Sequence, residues 1–143
     1  MPKRPTRATS SVRRAPRVPA SWGEVFDKLT ILEIKSERMA DASQVKNVHK
    51  ELAALTRVVD RLENPPRGLK ALRDALRGIN GELWRIEDNI RAREDQQAFD
   101  GEFVALARAV YRTNDERARI KREINLLLAS DLIEEKQYRK YKR

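Results

Sequence analysis

The fold of this chain is decided by residues 69–90, LKALRDALRGINGELWRIEDNI. Apolar residues recur there at alternating intervals of three and four positions: Leu69, Leu72, Leu76, Ile79, Leu83, Ile86 and Ile90. Because an α-helix turns about once every 3.6 residues, this alternation places all of these side chains on one stripe of a long helix. Such a stripe is the seam along which helices pack, so the stretch predicts a helical bundle.

The same spacing occurs on both sides of this stretch. Before it lie Val45, Val48, Leu52, Leu55, Val59 and Leu62, and after it lie Phe103, Leu106, Val110, Ile120, Ile124 and Leu127. Ser21 and Glu24 have the spacing of a capping box, which marks the start of an earlier helix. We therefore predict four long helices, at about residues 21–39, 43–63, 67–96 and 101–129.

The connections between these helices are short. Residues 64–68, Asn-Pro-Pro-Arg-Gly, end the second helix, since a proline disfavours helical backbone in the residue before it. Short connections make consecutive helices antiparallel. The expected fold is all-α: an antiparallel up-and-down bundle of about four long helices with coiled-coil-like seams, or a pair of long helical hairpins. A short C-terminal helix is expected after Ser130 or Asp131.

The composition excludes several classes of protein. Charged residues make up 37% of the chain and aromatic residues 6%, which suits helices better than a β-sandwich or barrel. The absence of cysteine excludes disulfides and thiolate sites, and a single histidine argues against zinc, so we expect no metal and no cofactor. No apolar run reaches the roughly 18–20 residues that span a bilayer. The expectation is a soluble cytoplasmic protein without a transmembrane segment.

The net charge of +9 is concentrated at the two ends of the chain. Residues 1–20 carry six basic and no acidic side chains, and residues 136–143 carry five basic ones. Residues 21–135 are nearly neutral, with 20 basic and 22 acidic side chains. We predict a disordered, basic Pro/Arg-rich tail at 1–20, a helical bundle domain at 21–135 and a basic tail at 136–143. Such tails either keep a protein soluble or bind the phosphates of nucleic acids or acidic membrane surfaces.

The seam of the last long helix is broken. Thr113 and Arg117 occupy positions where apolar residues are expected, which brings polar groups into the bundle. A buried charge must be paired or solvated, because leaving it alone is strongly unfavourable. Antiparallel geometry sets Arg117 level with Asn80 and brings Glu33 and Glu87 to the same cross-section. These two glutamates are the predicted partners of Arg117.

This cross-section of polar side chains, which we name the polar layer, contains Glu33, Asn80, Glu87, Thr113 and Arg117, and it has three interpretations. It is an ion pair that fixes the register of the helices, a pocket in which Arg and Lys hold a carboxylate or phosphate beside an aromatic wall, or a groove for a partner helix. The candidate ligand-binding or partner-binding residues are Asp27, Lys28, Thr30, Glu33, Lys35, Trp84, Glu87, Asp88, Arg91, Arg108, Tyr111, Asn114 and Arg117. No Gly-rich phosphate loop or nucleophile elbow occurs, and no residue is assigned as catalytic.

Three stretches carry a family resemblance: SWGEVFDKLTILEIKSERM at 21–39, LWRIEDNIRAREDQQAFDGEFVALARAVYRTNDERARIKREIN at 83–125 and SDLIEEKQY at 130–138. They resemble an uncharacterised family of small bacterial helical proteins known only as a domain of unknown function. The resemblance spans residues 21–138. It implies a bacterial or phage cytoplasmic protein associated with glycan synthesis, and it supplies no activity and no catalytic residues. Its pattern includes several members of the polar layer, which places the pocket interpretation level with the structural ion pair.

The leading functional hypothesis is a non-enzymatic helical interaction or scaffold module. Its charged layer would hold a partner protein or an anionic metabolite, and apolar stripes would also allow self-association. The alternative is a small helical-bundle enzyme acting on an anionic substrate, in which glutamates assist a set of cations: Lys28, Lys35, Arg91, Arg108 and Arg117. A third hypothesis is nucleic-acid binding through the basic tails.

Overall fold

The chain forms four helices and no strand over residues 11–142, which the computed structural model describes. The helices are α1 (Trp22–Arg38), α2 (Ala42–Asp60), α3 (Leu69–Asp95) and α4 (Gly101–Leu127). The all-α bundle predicted from the seams is confirmed. Residues 1–10, half of the predicted disordered tail, lie outside the described residues, and residues 11–20 are exposed without helix or strand.

Side chains cap three of the helices at their N-termini. Ser21 accepts a hydrogen bond from the backbone N–H of Glu24 at 3.2 Å, as the capping-box spacing predicts. Asp41 and Asp100 begin α2 and α4 in the same way. Before α3 stands Gly68 with a φ of 97°, a left-handed conformation that glycine adopts without strain.

The helices are arranged as two helical hairpins. In the first, α2 lies along α1, and an ion pair of 2.6 Å joins Lys28 to Glu51. In the second, α3 and α4 pack along each other. The backbone of α1 packs against all three other helices, whereas that of α2 packs against α1 alone. Helix α1 is therefore the element that joins the two hairpins.

The hydrophobic core lies where α1 meets the first half of α3 and the second half of α4. Its buried members are Phe26, Leu29, Leu69, Leu76, Ile120 and Ile124. Residues of α2 border this core without being buried themselves, apart from Val48. No residue between 87 and 119 is buried, so the hydrophobic core does not extend into the far half of the α3–α4 hairpin. None of the helices in the described part of the chain is long and apolar enough to cross a membrane.

The start of α1 is held by side chains from the end of α4. The first N–H groups of any helix lack partners within the helix. Here the N–H of Gly23 donates to Oδ1 of Asn125 at 2.6 Å, and that of Trp22 donates to Oγ of Ser130 at 3.2 Å. A Cβ atom at Gly23 would collide with the carbonyl oxygen of Lys121. The missing side chain of Gly23 therefore permits the close contact between the two helices.

The predicted short C-terminal helix is wrong. Helix α4 ends at Leu127, Ala129 takes a φ of 48°, and residues 131–142, the C-terminal segment, contain no helix. This segment runs back along α4, where Glu134 pairs with Lys121 at 3.3 Å and Glu135 pairs with Arg122 at 3.0 Å. A helix this short is marginal by itself, and the extended backbone lets both glutamates reach cations of α4.

Candidate functional site

The break in the α4 seam is an ion pair between Arg117 and Asp27 of α1. The Nε of Arg117 donates to Oδ1 of Asp27 at 2.8 Å, and Nη2 donates to Oδ2. The amide of Asn80 donates to the same carboxylate at 3.0 Å, and Nζ of Lys121 lies 3.6 Å from it. Asp27 is only 2% exposed. The anion that Arg117 requires is therefore a buried side chain of the protein.

The predicted partners of Arg117 were wrong. Glu33 instead pairs with Arg73 at 2.6 Å, and Glu87 lies 3.4 Å from Arg91 in its own helix. The predicted level of Asn80 beside Arg117 is confirmed, since both bind Asp27. The error has a geometric cause. Glu33 was placed from the antiparallel order of the helices along the chain, whereas α1 packs directly on α3 and α4, out of that order.

Thr30 completes the buried polar group. Its hydroxyl donates to the carbonyl of Phe26 or Asp27, at 3.0 and 2.9 Å, and accepts from the amide of Asn80 at 3.0 Å. Lys121 extends the group outward, with Nζ 2.7 Å from Glu24 and 3.3 Å from Glu134. We name this set the ion-pair cluster: Asp27, Thr30, Asn80, Arg117 and Lys121.

The ion-pair cluster is charged at neutral pH. Burial raises the pKa of Asp27, but hydrogen bonds from Arg117 and Asn80 and the charges of Arg117 and Lys121 outweigh it and lower the pKa below 3.8. Burial lowers the pKa of Lys121, but Glu24, Asp27 and Glu134 more than compensate and raise it above 10.5. The cluster thus holds paired charges, and neither group exchanges protons near neutral pH.

The stability of the fold is expected to fall in acid through Asp27. Because the folded-state pKa is lowered, the carboxylate stabilises the fold fully above its ordinary pKa of 3.8, and this contribution is lost as the pH falls through the folded-state value. Urea unfolding followed by circular dichroism should show the difference between the native chain and Asp27→Asn shrinking in acid. A difference that is independent of pH would contradict the assignment.

A groove lies beside the ion-pair cluster, between α4 and the C-terminal segment. Its volume is about 640 Å³, and we name it the tyrosine groove. It is lined by three tyrosines, four basic side chains, one acidic side chain and several smaller groups: Tyr111, Tyr138, Tyr141, Arg117, Lys121, Lys136, Arg139, Asp115, Asn114, Val110 and Ala118. The groove therefore combines aromatic surface with positive charge.

The lining side chains differ in how firmly they are held. The hydroxyl of Tyr141 donates to Asp115 at 2.5 Å, and its ring meets the edge of Tyr111 at 5.2 Å between centroids. Nζ of Lys136 lies 3.5 Å from Glu134 and 5.8 Å from the ring centre of Tyr138. Arg139 forms no ion pair within residues 11–142. The groove thus has one fixed aromatic wall, one cation without an ion pair among the described residues, Arg139, and a second, Lys136, that is only loosely paired.

A second, smaller groove of about 400 Å³ lies on the α3 side of Arg117. Its lining is acidic and apolar, with Trp84 beside two carboxylates: Ile31, Asn80, Leu83, Trp84, Glu87, Asp88, Asn114 and Arg117. Asn114 lines both grooves, and its Oδ1 accepts from Nη1 of Arg117 at 3.4 Å. Arg117 therefore separates a basic groove from an acidic one.

The structure brings together eight of the thirteen predicted site residues. Three of them, Asp27, Thr30 and Arg117, belong to the ion-pair cluster. Five others line the two grooves: Trp84, Glu87, Asp88, Tyr111 and Asn114. The remaining five line neither groove: Lys28, Glu33, Lys35, Arg91 and Arg108. Within residues 11–142 no three His, Cys, Asp or Glu side chains converge as a metal site requires.

Sequence reasoning missed part of the site. A second stripe on α4 has the same three-and-four spacing and could have identified Lys121: Val104, Ala107, Tyr111, Asn114, Ala118, Lys121 and Asn125. It also missed Lys136, Tyr138, Arg139 and Tyr141. No local pattern signals that this basic stretch folds back on α4, because the contacts that hold it come from residues distant in the sequence.

Comparison with known proteins identifies a family but no function. Residues 17–141 match a family of unknown function, DUF6165. The match covers all four helices and nearly all of the C-terminal segment, and it confirms the expected resemblance to a domain of unknown function. No curated protein and no solved structure matches the chain.

Proposed function

We propose that this chain, which belongs to the family of unknown function DUF6165, is a non-enzymatic helical module that binds an anionic ligand in the tyrosine groove. The observation that carries the proposal is the cationic lining, in which the described residues contribute four basic side chains and one carboxylate, that of Asp115. A concave site of several hundred Å³ with a few placed polar groups is typical of small-molecule sites. The family resemblance extends the proposal to a bacterial cytoplasmic setting near glycan synthesis.

The basic side chains of the groove are not equally available. Arg117 and Lys121 are already neutralised by Asp27 and its acidic neighbours. Lys136 has only a partly exposed contact with Glu134, and Arg139 has no ion pair among the described residues. An incoming anion would therefore bind Arg139 and Lys136 through charge-assisted hydrogen bonds.

The ion-pair cluster supports this site structurally. Its buried carboxylate, Asp27, does not itself contact the ligand. It ties α4 to α1, and Lys121 ties α4 to Glu134 of the C-terminal segment. The two sides of the groove are thereby held before a ligand arrives. A site formed in advance loses less conformational entropy on binding than one that must be ordered by its ligand.

The enzymatic alternative is disfavoured by where its cations lie. Lys28 pairs with Glu51 on α2, Arg91 lies beside Glu87, and Arg108 lines neither groove. These residues do not converge on one substrate. An acidic segment of a partner protein is a second kind of anion that the tyrosine groove could hold, and the following experiment separates it from a small molecule.

The double variant Lys136→Ala/Arg139→Ala is expected to bind inorganic pyrophosphate at least about a hundredfold more weakly than the native chain, since two hydrogen bonds between charged groups are lost and each contributes on the order of 1.5–3 kcal/mol. Isothermal titration calorimetry at fixed ionic strength measures the affinity. Lys142→Ala removes one charge from the same segment outside the groove lining and should change affinity less than twofold, roughly the screened effect of one exposed charge.

Two results would count against the small-anion site. If Lys142→Ala weakens pyrophosphate binding as much as Lys136→Ala or Arg139→Ala does as a single substitution, the attraction comes from the general positive charge of the segment. The second result is that pyrophosphate and dicarboxylates do not bind, whereas an acidic peptide binds the native chain and not the double variant. In that case the groove binds a partner protein.

A further inference from the structure

The proposed anion site leaves the three tyrosines of the tyrosine groove without a role. Tyr138 is 71% exposed, Tyr111 43% and Tyr141 40%. Three aromatic rings lining one groove form a sizeable apolar surface beside charged groups. An inorganic anion or a small dicarboxylate would not cover it, and aromatic surface of this kind is typical of binding sites.

The rings are arranged so that one wall is fixed and the other is free to adjust. Tyr111 and Tyr141 stand edge to face, and Asp115 holds the hydroxyl of Tyr141. The hydroxyl of Tyr138 forms no hydrogen bond within residues 11–142, and its ring is 5.8 Å from the ammonium of Lys136. A planar group entering the groove would therefore meet a rigid pair of rings and one ring that can turn onto it.

The free ring and the available cations come from one short run of sequence. Lys136 and Arg139 flank Tyr138, and all three line the groove. A ligand that stacks on Tyr138 therefore has two cations, Lys136 and Arg139, lining the same groove. Nucleotides have this combination of a planar base and a nearby phosphate, and aromatic side chains with a basic groove are how proteins bind them without reading the base.

We infer that the tyrosine groove binds a nucleotide, with the base packed between Tyr138 and the Tyr111–Tyr141 pair and the phosphates on Arg139 and Lys136. The inference rests on the proposed function. It specifies that the anion bound by Arg139 and Lys136 is the phosphate of a ligand that also carries an aromatic base. A groove of about 640 Å³ lies within the roughly 300–1,000 Å³ range of small-ligand sites, which suits one nucleotide. A nucleotide within a single strand shares this chemistry, so the experiment includes both sources.

The test compares a nucleoside diphosphate with inorganic pyrophosphate on the full chain at one ionic strength. Because stacking of a base on an aromatic side chain contributes on the order of fivefold to a hundredfold in affinity, the nucleotide should bind at least about fivefold more tightly than pyrophosphate. Tyr138→Ala should remove most of the difference in affinity between the nucleotide and pyrophosphate, whereas Tyr138→Phe should retain that difference. Tyr138 lies at the surface, and melting curves of each variant verify that the fold is kept.

Each outcome separates the two proposals. If pyrophosphate binds and the nucleotide binds no better, the nucleotide inference is overturned while the anion site stands. If neither binds, both fail. If a short single-stranded oligonucleotide binds more than tenfold tighter than the mononucleotide and remains sensitive to Tyr138→Ala, the stacking site is supported and its ligand is a nucleic-acid strand.

Discussion

Replacing Asp27 by asparagine is expected to lower the free energy of unfolding by about 3 kcal/mol, the lower end of the range for breaking a buried ion pair. The carboxylate is 2% exposed and accepts from Arg117 at 2.8 Å and from Asn80 at 3.0 Å. Asparagine keeps the shape but removes the charge. Arg117 and Lys121 would then face each other across a site that no longer contains an anion.

Urea unfolding at neutral pH, followed by circular dichroism, measures this change. Asp88→Asn is the matched control, because Asp88 is an exposed carboxylate on α3 that forms no ion pair among the described residues, and it should change stability by less than about 0.5 kcal/mol. If Asp27→Asn were no more destabilising than Asp88→Asn, the ion-pair cluster would not contribute to stability as described.

Replacing Gly23 by alanine is expected to destabilise the fold by about 2 kcal/mol or more, because extra atoms in a well-packed contact cost roughly 1–3 kcal/mol and a hydrogen bond is lost as well. The added Cβ would collide with the carbonyl oxygen of Lys121 and lie 2.9 Å from Oδ1 of Asn125. Relieving this contact requires α1 to move away from α4. That movement would break the bond between the N–H of Gly23 and Asn125 and loosen the junction of the two hairpins.

Replacing Gly78 by alanine should have the opposite effect on stability. No atom of the described residues outside the helix's own backbone lies within 4 Å of a Cβ added there, and the residue is exposed in the interior of α3. Alanine should stabilise that helix by about 0.5–1 kcal/mol relative to glycine. Thermal unfolding of Gly23→Ala and Gly78→Ala, measured in parallel, tests both predictions. Similar stabilities would mean that α1 does not approach α4 as closely as the structure has it.

The helices could be predicted closely because their signals are local. The second helix was predicted at 43–63 and runs over Ala42–Asp60, and the third was predicted at 67–96 and runs over Leu69–Asp95. Capping side chains, prolines and the spacing of apolar residues act within a few positions along the chain. The position of the polar layer followed from the same spacing, since Arg117 interrupts a seam that is otherwise regular.

The sequence by itself therefore determined the helices, their antiparallel hairpins and the need of Arg117 for an anion. Only the tertiary structure decided that this anion is Asp27, and that residues 131–142 return along α4 to form the tyrosine groove. The reason is physical: Asp27 and Arg117 are 90 positions apart, and their meeting depends on how α1 packs across the second hairpin. Periodicity sets which face of a helix is apolar, whereas the partner of each polar group is set by the packing of whole helices.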